Sequence, residues 1–225
     1  TRKMTDYPVG YNTHNIISVM GDDYKKYIDE LSQMHFVEKV GIASDSFVRY
    51  VYPQELKGVN WVPLRMDQNA FDMLGIKVKE YLELSGVSLQ NAYTTEKGLQ
   101  LAASLNMSAW ENKYIGVLED VHFGSVKEIS SENTIFDIVI KDDYSQYFRG
   151  NILIKVSGDQ DEAKEQIRKF FVEKGEDTPQ LTIQTLEEAN LMNYEEESQL
   201  MRLVAVFSLI SILLTALAIV ALSSY

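Results

Sequence analysis

The chain contains no cysteine. Disulfide bridges, thiolate zinc sites and a cysteine nucleophile are therefore excluded, a composition compatible with an exported bacterial domain. Basic residues are in deficit: 21 Lys and Arg stand against 33 Asp and Glu, a formal net charge of -12. A phosphate backbone needs a basic face, so nucleic acid is not an expected partner. Proline is scarce, at 4 in 225 residues, and none follows Pro179. No GxxxxGK[ST] phosphate loop is present, so the chain is not expected to bind ATP in that way. No GxSxG nucleophile elbow and no HExxH zinc motif is present either. The three histidines, His14, His35 and His122, are scattered.

The 45% apolar content is enough for one or two domains with a real core. The chain begins at Thr1 with no recognisable signal peptide, and the expectation is a processed start or a piece of a longer chain. From Leu203 to Leu222 the sequence LVAVFSLISILLTALAIVAL carries no charge over 20 residues. At about 1.5 Å per residue such a helix covers about 30 Å, the hydrocarbon thickness of a bilayer. Leu203, Phe207, Ile210, Leu214, Leu217 and Leu222 mark this expected membrane span. Ser208, Ser211 and Thr215 can return their hydroxyl bonds to the preceding turn.

Upstream, strands and helices alternate. Asn15–Met20 is a short apolar run ended by Gly21, and Asp22 offers an N-cap. Tyr24, Tyr27, Ile28 and Leu31 form a helical stripe, and Val37–Ala43 reads as a second strand. The layout returns later: strand Asn151–Val156, a turn at Gly158 and Asp159, then a helix burying Ala163, Ile167, Phe170 and Phe171. Gly175 is its stop, and Leu181–Gln184 is the closing strand. Two such units predict a split βαβ, ferredoxin-like sheet backed by two helices. Residues 44–150 between them are too many for a loop. They read as an inserted mixed subdomain, with strands at Trp61–Met66, Tyr114–Leu118 and Ile135–Ile140 and a helix around Thr95–Leu105.

Thr185 and Glu188 form a capping box. With no Gly or Pro beyond it, a helix of about 40 residues, on the order of 60 Å, can run from Leu186 into the bilayer. The alternative is two helices with a bend near Asn193. The expected fold class is α+β. A porter-like domain (1–43 and 151–185) carries the insert (44–150), a stalk helix (186–202) and a membrane segment (203–222).

Catalytic constellations are weak. Glu119, Asp120, Val121 and His122 are the one acidic–histidine cluster, and a strand end facing solvent explains them better than a metal site. Tyr144, Tyr147, Asp142 and Asp143 could contact a sugar, but such a mixture is more often a surface turn. Glu195–Glu197 point around a helix axis and do not converge on a cation. No enzyme, metal or cofactor is expected of this chain.

Several stretches carry a resemblance: Val9–Ile17 (VGYNTHNII), Asn91–Asn106 (NAYTTEKGLQLAASLN), Ile115–Ser125 (IGVLEDVHFGS) and Glu196–Tyr225, where QLMRL leads into FSLISI. They resemble the extracytoplasmic region of MacB/FtsX-like ABC transporter permeases. Leu118, Glu119 and Val121 depart from the commonest residues of the IGVVKDFHFGS pattern. Asn91–Asn106 is similar to that family's helical segment. The resemblance implies an inner-membrane permease with its main domain in the periplasm, lying between a first membrane helix and a second. It implies ATP bound by a separate ATPase subunit, a second permease copy, a surrounding lipid bilayer and a possible periplasmic partner protein. The work implied is export, or lipoprotein or hydrolase handling, by mechanotransmission. Two other readings compete: a tail-anchored binding or sensor module without a transport role, and an outer-face enzyme near His122.

Overall fold

A computed structural model describes residues 10–21, 24–44, 54–56, 59–82, 91–104, 114–119, 121, 134–140, 150–176, 181–192 and 195–223. In chain order the elements are β1 (Ile16–Met20), a 3-10 turn (Tyr24–Tyr27), α1 (Ile28–Ser32), β2 (Val37–Ser44), β3 (Gln54–Leu56) and β4 (Val59–Met66). Next come α2 (Gln68–Leu74), β5 (Val78–Tyr81), β6 (Asn91–Thr95), α3 (Glu96–Ser104), β7 (Tyr114–Leu118) and β8 (Thr134–Ile140). The chain closes with β9 (Gly150–Val156), α4 (Gln160–Glu173), β10 (Thr182–Thr185), α5 (Leu186–Met192) and α6 (Glu195–Ser223).

These strands form one mixed sheet in the order β10-β1-β9-β2-β4-β8-β6-β7-β5, with β3 on β4. At one end, β1 runs antiparallel to both β10 and β9, and β9 runs antiparallel to β2. On one face of these four strands Ile17, Val19, Ile152 and Ile154 meet Leu31 of α1 and Ala163, Ile167 and Phe171 of α4. On the other, Ile16, Met20 and Leu153 meet α2 and α5. Both faces are covered, which is why β1 (IISVM) is buried throughout and shows no polar alternation.

Local signals place the helices. Asp159 accepts the Asp161 and Glu162 amides at the start of α4, and Gly175 follows it with a φ of 75°, the left-handed stop that glycine supplies without strain. The stripe beginning at Tyr24 starts more tightly than expected: its first turn is 3-10 and only Ile28–Ser32 is α-helical. Tyr27 and Leu31 do point inward. Asp22 lies outside the described residues.

In the middle segment, β4 pairs parallel with β8, β6 pairs antiparallel with β8 and parallel with β7, and β5 closes the edge against β7. Among the described residues a single residue pair, Ala43 with Met66, joins β4 to β2. The hydrophobic core nevertheless crosses this boundary, since Ile16, Ala43 and Leu153 share a cluster with Leu64, Phe71, Ile138 and Tyr93. Gly41 permits this: a Cβ there would stand 2.5 Å from the Ala70 amide nitrogen, so α2 lies against β2 only because residue 41 has no side chain. Pro63 fits the same seam. It falls between the residues of β4 that pair with β3 and the one that pairs with β2. The Arg65 and Asp67 amides point toward β2, so the donor that Pro63 lacks would face a stretch with no strand partner among the described residues. On the α3 side of the sheet, the buried Tyr114 hydroxyl donates to Asp137 at 2.9 Å.

One expectation changes. Asn91–Thr95 is a strand, β6, between β8 and β7, and the helix of that stretch begins at Glu96. Tyr93, Thr94 and Thr95 favour an extended chain, and two neighbouring strands satisfy it. Helix α2 and strands β3 and β5 were not anticipated. Asp67 caps α2 by accepting the Ala70 amide, and Gly75 ends it at φ 59°.

Beyond β10 the backbone is helical in α5 and again in α6, which has 29 residues. Asn193 and Tyr194, on which continuity of the expected long helix depends, lie outside the described residues. Among the described residues, no helix is long and apolar enough to cross a membrane.

Candidate functional site

The densest set of long-range side-chain links near the tail lies at the root of α5. The expected capping-box residues meet there. The Glu188 amide donates to Thr185 Oγ1 at 3.0 Å, and the Thr185 amide donates to Glu188 Oε2 at 2.8 Å. Two amides that the helix cannot satisfy internally are thus satisfied reciprocally.

Each of the first five residues of α5 is engaged. Leu186 is fully buried and Ala189 nearly so, both in the cluster that spans the sheet. Glu187 Oε1 lies 3.3 Å from His14 Nδ1. Lys164 Nζ, on α4, donates to both carboxylate oxygens of Glu188, at 2.8 and 3.0 Å. The Tyr11 hydroxyl donates to Asn190 Oδ1 at 3.1 Å. Three separate parts of the chain therefore hold one and a half turns of helix: β10, α4 and the segment 10–15.

That segment is itself fixed. The Asn12 amide donates to the Leu74 carbonyl at the end of α2, at 2.6 Å. Lys155 Nζ on β9 donates to the His14 carbonyl at 2.8 Å. Tyr11 packs against the large core cluster.

Burial pushes the Glu188 carboxyl up, but the hydrogen bonds from Lys164 and the Thr185 amide outweigh it and hold the group below the usual glutamate range. With about half of the Glu188 side chain exposed, the pair contributes no more than about 1 kcal/mol.

The residues of the expected membrane span lie on α6. Leu203, Phe207, Ile210 and Leu214 are exposed, between 45% and 62%. Leu217 and Leu222 fall within its helical backbone, and their side chains lie outside the described residues. Ser208, Ser211 and Thr215 donate to the carbonyls of Val204, Phe207 and Ser211, four residues back.

The alternative chemistry-bearing residues are not brought together. Asp120, His122, Asp142, Asp143, Tyr144 and Tyr147 lie outside the described residues, and Glu119 is an exposed partner of Lys77 at 4.0 Å. Among the described residues, no group of three or more His, Asp or Glu could hold a metal ion. Sequence reasoning missed Tyr11, His14, Lys164 and Asn190. Their partners lie 24 to 179 residues away, and no local pattern signals them.

No family profile matches the chain, and no curated protein matches it. Among solved structures the chain is similar to the periplasmic region of MacB from Actinobacillus actinomycetemcomitans, with a TM-score of 0.44 and 12% identity over 84% of this chain and 97% of that one. It is also similar to the extracellular domain of the noncanonic ABC-type transporter YknZ from Gram-positive bacteria, with a TM-score of 0.48 and 10% identity over 76% of this chain and all of that one.

Proposed function

We propose that this chain is an extracytoplasmic part of a MacB/FtsX-like ABC transporter permease. In this reading it carries no catalytic site and transmits motion driven by a separate ATPase. The four strands β10, β1, β9 and β2 with α1 and α4 correspond to its porter-like, ferredoxin-like part, and residues 44–150 to its insert. Helix α5 begins the stalk, and the uncharged part of α6 lies in the inner membrane, with the main domain in the periplasm. A second permease copy and a periplasmic partner protein belong to the same reading.

The observation that carries it is the contrast along the tail: a helix root buried and tied on three sides, followed by a long helix whose large apolar side chains, where described, are 45% to 65% exposed. Each such side chain left in water forgoes about 1.5–3 kcal/mol. Among the described side chains, Leu203, Val204, Val206, Phe207, Leu209, Ile210, Ile212, Leu214, Ile219 and Val220 are exposed at positions around the axis, and a helix apolar on every side suits hydrocarbon. Its hydroxyls bond within the helix, as a span in lipid requires. The sequence stretches Ile115–Ser125 and Glu196–Tyr225 support the family choice. Tyr11 and Asn190 touch, so segment 10–15 and α5 lie side by side, the arrangement that suits a domain carried between two membrane helices.

A stiff helix passes displacement along its axis, and a flexible linker absorbs it. Inserting three glycines at Asn193 in the intact transporter should leave ATP hydrolysis running while transport falls. Unchanged transport removes the stalk role. A gene that ends at Tyr225, with no apolar segment ahead of Thr1, favours the tail-anchored module instead.

A further inference from the structure

Segment 10–15 does more than run past the tail helix. On one side Tyr11 and His14 reach Asn190 and Glu187 of α5. On the other, the Asn12 amide holds the carbonyl of Leu74, the last residue of α2. Helix α2 lies in turn on β2 at Gly41, where the absence of a side chain brings the two backbones into contact. Besides the link from Lys164 of α4 to Glu188, helix α5 reaches the body by two routes. One is the direct covalent route through β10. The other crosses three residues to α2, at the seam where the sheet is joined by one residue pair.

We infer that residues 11–14 form a strut between α5 and α2. A displacement of the tail helix then reaches the middle of the sheet directly, and the single pairing of β2 with β4 does not bear the whole load. The purpose of such a strut rests on the permease reading, but its existence does not. Short hydrogen-bonded and packed links of this kind carry coupling when both ends respond together. The Asn12 amide reports that response, because it is the group that closes the α2 end.

The test is amide hydrogen exchange by NMR on the full chain in detergent micelles. Tyr11→Phe combined with His14→Ala cuts the α5 end from the segment side, and Asn190→Ala cuts it from the helix side. Loss of one or two ordinary hydrogen bonds should speed Asn12 exchange by about five- to tenfold in both variants. The Ile152 and Ile154 amides of β9 should keep their wild-type rates. Wild-type exchange at Asn12 in either variant overturns the strut. So does an acceleration that β9 shares, because that is general loosening of the fold. A glycine insertion at Asn193 that leaves transport intact removes the permease stalk without touching these rates. The two failures are therefore distinguishable.

Discussion

Leu186 and Leu203 are the same residue on two successive helices, yet Leu186 is fully buried and Leu203 is 55% exposed. In α5 the protein supplies the apolar surroundings, and the polar positions between Leu186 and Ala189 find partners on α4 and the segment 10–15. In α6 the apolar residues are denser and the described part of the protein covers little of them. The difference teaches that apolar content does not decide burial. What decides it is whether the fold brings another surface to the helix.

Substitutions at matched positions sharpen this comparison most. Leu186→Ala should cost about 2–5 kcal/mol, because the cavity it leaves is walled by the central cluster. Phe207→Ala should change the stability of the body by no more than about 0.5 kcal/mol, while weakening retention of the chain in lipid vesicles. Denaturant unfolding in micelles measures the first effect and vesicle flotation the second. Equal losses of stability at the two sites would show that α6 packs on protein, and the contrast would disappear.

A smaller effect is expected at the helix start. Thr185→Ala removes the oxygen that caps the Glu188 amide and should cost about 0.5–2 kcal/mol. No comparable effect is expected for Ser208→Ala, whose hydroxyl only returns to its own helix. Thermal unfolding of the two variants decides between them.

The smallest effect is in the response to acid. Because Glu188 is held below the usual glutamate range in the folded protein, its contribution is complete above the unfolded value of about 4.3. It fades as pH falls through the depressed folded value. The stability advantage of the wild type over Glu188→Gln should therefore shrink as pH falls below the unfolded value of about 4.3, from a starting size below about 1 kcal/mol. An advantage that grows toward acid would contradict the pairing with Lys164.

Much of the four-stranded end was legible in advance. The strand runs read at Asn15–Met20 and Asn151–Val156, the cap at Asp159 and the stop at Gly175 all rest on patterns a few residues long. The insert was harder to read. Asp67 and Gly75 bracket α2 with an ordinary cap and stop, and these signals could have located it. The helix around Thr95–Leu105 was legible, and α3 matches it, but the strand Asn91–Thr95 ahead of it was not, because its extended form was chosen by β8 and β7 on either side. At the candidate site, Thr185 and Glu188 stand three residues apart and announce themselves, whereas Tyr11 and Asn190 are separated by 179 residues.

The amino-acid order by itself determined the capping box, the helix that Asp159 opens and Gly175 closes, and an uncharged run long enough to match a bilayer. These depend on backbone groups and side chains within one or two turns of each other. Only the tertiary structure decided that α2 rests on Gly41 and that segment 10–15 meets the tail helix. Backbone hydrogen bonds are the same for every strand, so partners are chosen by the summed burial of distant surfaces, a quantity that no short window of sequence contains.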